Sequence, residues 1–284
     1  MIDLSNLRRL LVSEFNEAET IVRRFACRAL PQVQETEITA VFGVEVERRL
    51  QSASDDGRIA NAVLRDLENA FQRSGVAPGN SLTNVTNGLV ARVVRHRPAE
   101  EKRDGGDFGL VMVEPIFRFR WHNHLDIERG GRKNGLLVQA KRRPYGQAWN
   151  QLTETQEQVL GARMPYAALL RYEFDDDGNT QLKDFRWNAL AGVTVAELIS
   201  WLRSGTFPAS VDTSELVAGV SLGRYGTSDP KIIKDDICSD AGAFMIVEVD
   251  WRDDDDPSQA LLRVNRDLTL THTSQTEVRI KIGH

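Results

Sequence analysis

Only two cysteines, Cys27 and Cys238, occur in 284 residues. They stand far apart and without C-x-x-C spacing, so neither a disulfide framework nor a zinc site is indicated. Nowhere does an apolar run approach the ~20 residues that a membrane-spanning helix needs. The opening M-I-D-L-S-N-L-R-R-L-L carries charges where a secretory leader has an apolar core. The expectation is a cytoplasmic chain with no membrane partner. Internal repeats and low-complexity stretches are also missing. What remains is ordinary for a globular protein: 41% hydrophobic and 27% charged residues, and length enough for one large domain or a core with a smaller companion.

The net charge of -5 argues against a general nucleic-acid binder, but the charge is unevenly spread. From residue 88 to 145 there are 13 Lys and Arg against 7 Asp and Glu, a net of +6. From 180 to the end the count is 11 against 16, a net of -5. The first block is where a polyanion would lie. The competing reading of any such block is plain solvated surface.

Hydrophobic periodicity predicts helices over 4–30 (ended by Pro31), 35–52 and 56–73. Strands follow at 89–96, 108–113 and 136–141, then a helix over 146–160 and a strand at 166–174. The turn-forming Asp175-Asp176-Asp177-Gly178-Asn179 marks a boundary. Beyond it the pattern predicts a strand at 184–189, a helix at 193–203, and strands at 244–251, 261–264 and 278–282. The acidic run 253–256 reads as a solvated turn before Pro257. The expected division is a helical segment 1–34, a core 35–176 and an α/β, strand-rich region 177–284.

Chemistry gathers between Gly105 and Arg142. Asp107 follows Gly105-Gly106 at the mouth of an apolar strand, where a carboxylate can meet a hard cation with little crowding. The next strand ends in Gln139-Ala140-Lys141-Arg142-Arg143. Side chains alternate along a strand, so Gln139 and Lys141 share one face and Ala140 takes the other. A carboxylate, an amide oxygen and an ammonium at the ends of paired strands suit a divalent metal and a phosphate. Arg142 and Arg143 suit phosphate contact. On the helix over 35–52, Ile38, Phe42, Val46 and Leu50 recur every four residues, and Val41 widens the stripe. Glu35 extends that stripe, Glu45 lies on it deeper in the helix, and Glu37 is rotated away. Gln156 falls on the face defined by Ala148, Leu152, Val159 and Leu160, and a buried amide needs partners. Simpler roles stand beside each of these: a turn Asp, a surface Lys, capping carboxylates and a structural Gln.

Two strings mislead. Asp107-Phe108-Gly109 spells the kinase magnesium motif, but no glycine-rich loop or H-R-D accompanies it. His122-Asn123-His124 spells H-N-H, yet the nucleases named for those letters spread them through a longer motif. Here the three sit beside Trp121 in the insert between two strands.

The ordered set of a helical Glu, then D…Q-x-K on consecutive strands, resembles the PD-(D/E)xK superfamily of restriction-endonuclease-like nucleases. Its Q-A-K form is similar to the Mrr-like branch and to bacterial defence nucleases, over roughly residues 35–174. The resemblance implies an α-β-β-β-α-β core and a Mg²⁺- or Mn²⁺-dependent endonuclease acting on foreign DNA, with RNA left open. It favours Glu35 as the helical acid, with Glu37 as the fallback and Gln156 as an accessory. It implies metal ligation by Glu35, Asp107, Gln139 and the Ala140 carbonyl, with Lys141 serving the water or the transition state. A homodimer and a protein partner docked on the acidic C-terminal region complete the expected partners. Gln in the usual Glu position keeps open a non-cleaving, nucleic-acid-binding module. A structural, partner-docking subunit is the other alternative.

Overall fold

The apolar alternation of the strands resolves into a mixed sheet clad with helices on both faces. The computed structural model describes residues 1–28, 35–75, 81–96, 108–120, 124–143, 147–174, 181–238, 244–252, 270–274 and 277–281. In chain order it contains α1 (Ser5–Arg28), α2 (Glu35–Asp55), α3 (Arg58–Arg73), α4 (Ser81–Thr86), β1 (Leu89–His96), β2 (Phe108–Arg120) and β3 (His124–Arg142). Then come α5 (Glu154–Arg163), β4 (Ala167–Phe174), β5 (Leu182–Ala189), α6 (Val195–Ser204) and α7 (Thr213–Ser221). A short helix at Pro230–Ile232 runs into a π-turn at Ile233–Ile237, followed by β6 (Phe244–Trp251), β7 (Leu270–Ser274) and β8 (Glu277–Lys281).

The strands lie in the order β1-β6-β2-β3-β4-β5, with β8 on β3 and β7 on β8. β2 and β3 form an antiparallel hairpin in which Phe108 faces Val138. β3 and β4 run parallel, with Gln139 beside Leu169 and Lys141 beside Arg171. The connection between those two parallel strands carries α5, as a crossover requires.

Alternation along each strand divides the interior in two. Phe108, Leu110, Val138, Ala140, Leu170 and Tyr172 join α1, α2 and α3 in one core. Val111, Leu137 and Leu169 join α5, α6 and the π-turn in the other. The α2 stripe is confirmed: Ile38, Phe42, Val46 and Leu50 are all buried. Polar links hold α2 on the sheet at both of its ends. Thr39 Oγ1 and Tyr172 Oη share a 2.7 Å hydrogen bond near its start, and Ala91 N donates to Ser54 Oγ at 2.8 Å near its end.

The mixed α/β class stands, and the elements differ from expectation in instructive places. β6 enters between β1 and β2, pairing antiparallel with the first and parallel with the second. β2 and β3 continue far past their apolar runs, with a register shift between Glu114 and Ile116. Cross-strand pairing along a long hairpin carries these polar residues, which apolar patterning cannot reveal. His124 begins β3, while Trp121, His122 and Asn123 lie outside the described residues, as do the 175–179 turn, the 253–256 run and the expected strand at 261–264. α5 starts at Glu154 rather than at 146, because Thr153 and Gln156 form a reciprocal capping box. The hydrophobic pattern predicts neither α4 nor α7; Asp212 caps α7 by accepting from Glu215 N at 2.8 Å.

Candidate functional site

The C-terminal end of β3 carries Gln139, Lys141 and Arg142, with Arg143 directly after it. Lys141 is 4% exposed, and its Nζ donates to the Gln156 side-chain oxygen at 3.1 Å and to the Gln151 carbonyl at 3.3 Å. Gln156 is half-buried at the start of α5, and the same oxygen accepts from Thr153 N at 3.1 Å. One Gln156 oxygen therefore serves both the helix cap and Lys141. Among the described residues, no carboxylate is paired with Lys141. Its register neighbour Arg171 is also buried, but there Glu173 supplies an ion pair and Asn188 Oδ1 accepts from Nε at 3.0 Å. Burial pushes the Arg171 guanidinium below its usual range, and Glu173 acts against that shift.

Glu35 reaches the same strand end from the first turn of α2. Its Oε1 accepts from the Arg142 backbone N at 2.9 Å and from Asn150 Nδ2 at 2.6 Å. Asn150 N in turn donates to the Arg142 carbonyl at 3.1 Å. Glu35 and Lys141 are thus tied to one short stretch of chain, Asn150 and Gln151, lying between β3 and α5. Glu37 is exposed on α2, as its rotation from the stripe implies. Glu45 pairs with Arg48 on the same helix.

Gln139 is fully buried, and its Nε2 donates to the Ala140 carbonyl at 3.3 Å. Asp107 lies outside the described residues; its chain neighbour Phe108 pairs with Val138, next to Gln139. Among the described residues no three His, Cys, Asp or Glu side chains gather as an ion-holding group. Glu35, the Gln139 amide and the Ala140 carbonyl offer oxygen atoms of the kind a hard cation takes; Glu35 comes to the strand end from the α2 side, whereas Gln139 shares the face of Leu169. Glu35 Oε2 accepts no hydrogen bond from a described residue. With one carboxylate in this set, the charge at a cation would depend on Asp107.

The basic block looks different in three dimensions. Arg95 pairs with Glu47, and Arg118 pairs with Glu128 at 2.9 Å. Arg129 makes two 2.8 Å contacts with Asp250, and Arg132 lies 3.7 Å from Glu114. Much of the described positive charge is therefore answered within the protein. Arg143 remains exposed, its Nε on the Gln147 carbonyl at 3.1 Å, and Arg142 is half-buried.

Sequence reasoning missed Trp149, Asn150 and Gln151. They belong to no regular element, and only the one signal of a Thr-x-x-Gln capping box, which ends the loop after them, was legible. Comparison of the chain with family models, with curated proteins and with solved structures gives no match.

Proposed function

We propose that this protein is a metal-dependent endodeoxyribonuclease with a restriction-endonuclease-like core, acting on foreign DNA in a bacterial cell. The observation that carries the reading is Lys141. Taking an ion out of water costs several kcal/mol even after relaxation. Each hydrogen bond to a charged group returns only about 1.5–3 kcal/mol. Lys141 has two such bonds, both to neutral oxygens, so its charge has no described counter-charge. An anionic phosphate at the end of β3 would supply one. The Glu35 carboxylate, held on the same strand end, supports the metal half of the reading.

In this reading Glu35, Asp107, Gln139 and the Ala140 carbonyl would hold Mg²⁺ or Mn²⁺. When bound, the ion would supply Lewis-acid polarisation of the phosphoryl oxygen and make the attacking water easier to deprotonate. Lys141 has three N–H donors, two of them committed to carbonyl oxygens. The third stabilises charge building on the phosphate oxygens as water attacks phosphorus. The P–O3′ bond breaks, leaving a 5′-phosphate and a 3′-hydroxyl. Gln156 and the Gln151 carbonyl keep the ammonium in place. Arg142 and Arg143 contact flanking phosphates.

Incubation of the purified protein with supercoiled plasmid and Mg²⁺ or Mn²⁺ tests this. Nicked and linear DNA should accumulate and should vanish with chelator. Asp107→Ala and Lys141→Met, the latter keeping the aliphatic stem, should be silent while folding normally. Full cleavage by either variant overturns the mechanism. Retention of DNA without cleavage by the unaltered protein would instead indicate the non-cleaving binding module.

A further inference from the structure

We infer that Asn150 is a positioning residue that presents the free oxygen of Glu35 to the metal; the inference rests on the reading above. The three residues 149–151 alternate in what they hold. Trp149 is buried, its ring edge-on to Phe207 with centroids 5.2 Å apart, and the Arg171 guanidinium lies 5.7 Å from the Trp149 ring centroid. Asn150 points the other way. Its backbone N donates to the Arg142 carbonyl, and its Nδ2 donates to Glu35 Oε1 at 2.6 Å. Gln151 then offers its carbonyl to Lys141. One anchored aromatic residue therefore fixes a strap that grips the acid with one residue and the ammonium with the next.

The grip on Glu35 is one-sided. Both described donors, Arg142 N and Asn150 Nδ2, converge on Oε1. The terminal torsion of a Glu side chain is broad and roughly two-fold, so a single backbone N–H leaves the carboxylate free to swivel. A second donor on the same oxygen locks the plane and leaves Oε2 as the oxygen turned to a ligand. Residues that orient a metal-ligating carboxylate cost about 10–100-fold in metal affinity or activity when removed. Asn150 occupies that position.

The test is Mn²⁺ binding by titration calorimetry, using the full chain as wild type, Asn150→Ala, Glu35→Ala and the double variant. Asn150→Ala should weaken Mn²⁺ binding about tenfold or more and raise the Mn²⁺ concentration needed for plasmid nicking by a similar factor. In the Glu35→Ala background the same change should cost nothing further, because the residue acts only through that carboxylate. Wild-type affinity in Asn150→Ala, or an equal loss in both backgrounds, overturns the inference while leaving the nuclease reading in place. A wild type that binds no Mn²⁺ and nicks no plasmid overturns both. If the alanine variant is not recovered folded, Asn150→Ser, too short to reach Oε1, gives the same comparison.

Discussion

Gln139 shows how one side chain can be read two ways and how chemistry separates them. It is fully buried, and its amide nitrogen rests on the neighbouring Ala140 carbonyl. Glu at this position introduces a charge where water cannot reach, which is costly without compensation. In metal-free buffer Gln139→Glu should therefore melt at a lower temperature than the wild type. If the side chain belongs to the metal shell, Mn²⁺ supplies the missing charge, and binding restores stability by mass action, about 2.7 kcal/mol at a hundred times Kd. Melting curves with and without Mn²⁺, alongside metal titrations of cleavage, decide this. Recovery of the melting temperature with a lower metal requirement places Gln139 at the ion. Failure of Mn²⁺ to restore stability makes it a structural amide.

Another buried group shows why a buried carboxylate is not by itself a site. Glu114 is buried beneath α7, accepting a hydrogen bond from Ser221 Oγ, and burial pushes its carboxyl above the usual range. Its nearby arginines, Arg132 and Arg8, act against that shift. This acid sits in the extended part of the hairpin, well along the strand from Asp107, and no described residue brings it to the end of β3.

At the scale of elements, the start of α5 does two jobs. Thr153 and Gln156 cap each other's backbone N–H groups, and Gln156 also accepts from Lys141. The two jobs separate by mutation. Thr153→Ala removes the cap oxygen alone and should cost about 1 kcal/mol of stability, within the usual 0.5–2 kcal/mol for a lost N-cap, with cleavage retained. Gln156→Ala removes the reciprocal half of the cap and one of the two Lys141 acceptors. It should lose comparable stability and, in addition, cleavage. Urea unfolding and plasmid nicking on both variants check this; equal cleavage by the two would reduce Gln156 to a helix cap.

At the scale of the molecule, the decisive feature is that β6 lies inside the sheet. Met245, Val247, Val249 and Trp251 are buried in the same core as α1, α2 and α3. The Trp251 indole also donates to the Val85 carbonyl at 2.8 Å. A chain shortened to residues 1–243 loses the strand that joins β1 to β2 and leaves both with open, apolar edges. Such a chain should show no cooperative urea transition and should aggregate. A cooperative transition and DNA nicking by 1–243 would establish instead that the N-terminal part folds by itself.

By itself the sequence determined whatever depends on local period and local chemistry. The 3.6-residue recurrence of Ile38, Phe42, Val46 and Leu50 defined α2 and its buried face. The alternation around Ala140 set Gln139 and Lys141 together on the face opposite the core that Ala140 shares with α1, α2 and α3. The placement of Glu35 on the α2 stripe pointed it at the sheet. Tertiary structure decided what depends on distance along the chain. A strand more than a hundred residues beyond β2 became its neighbour, because pairing β6 there buries its apolar face, and no local pattern encodes a partner. The basic block lost much of its apparent freedom once Asp250 and Glu47, remote in sequence, came to lie against Arg129 and Arg95. And the residues that grip Glu35 and Lys141 came from a loop with no periodicity at all, where position is fixed by a Trp149 ring packed on Phe207 and Arg171 rather than by propensity.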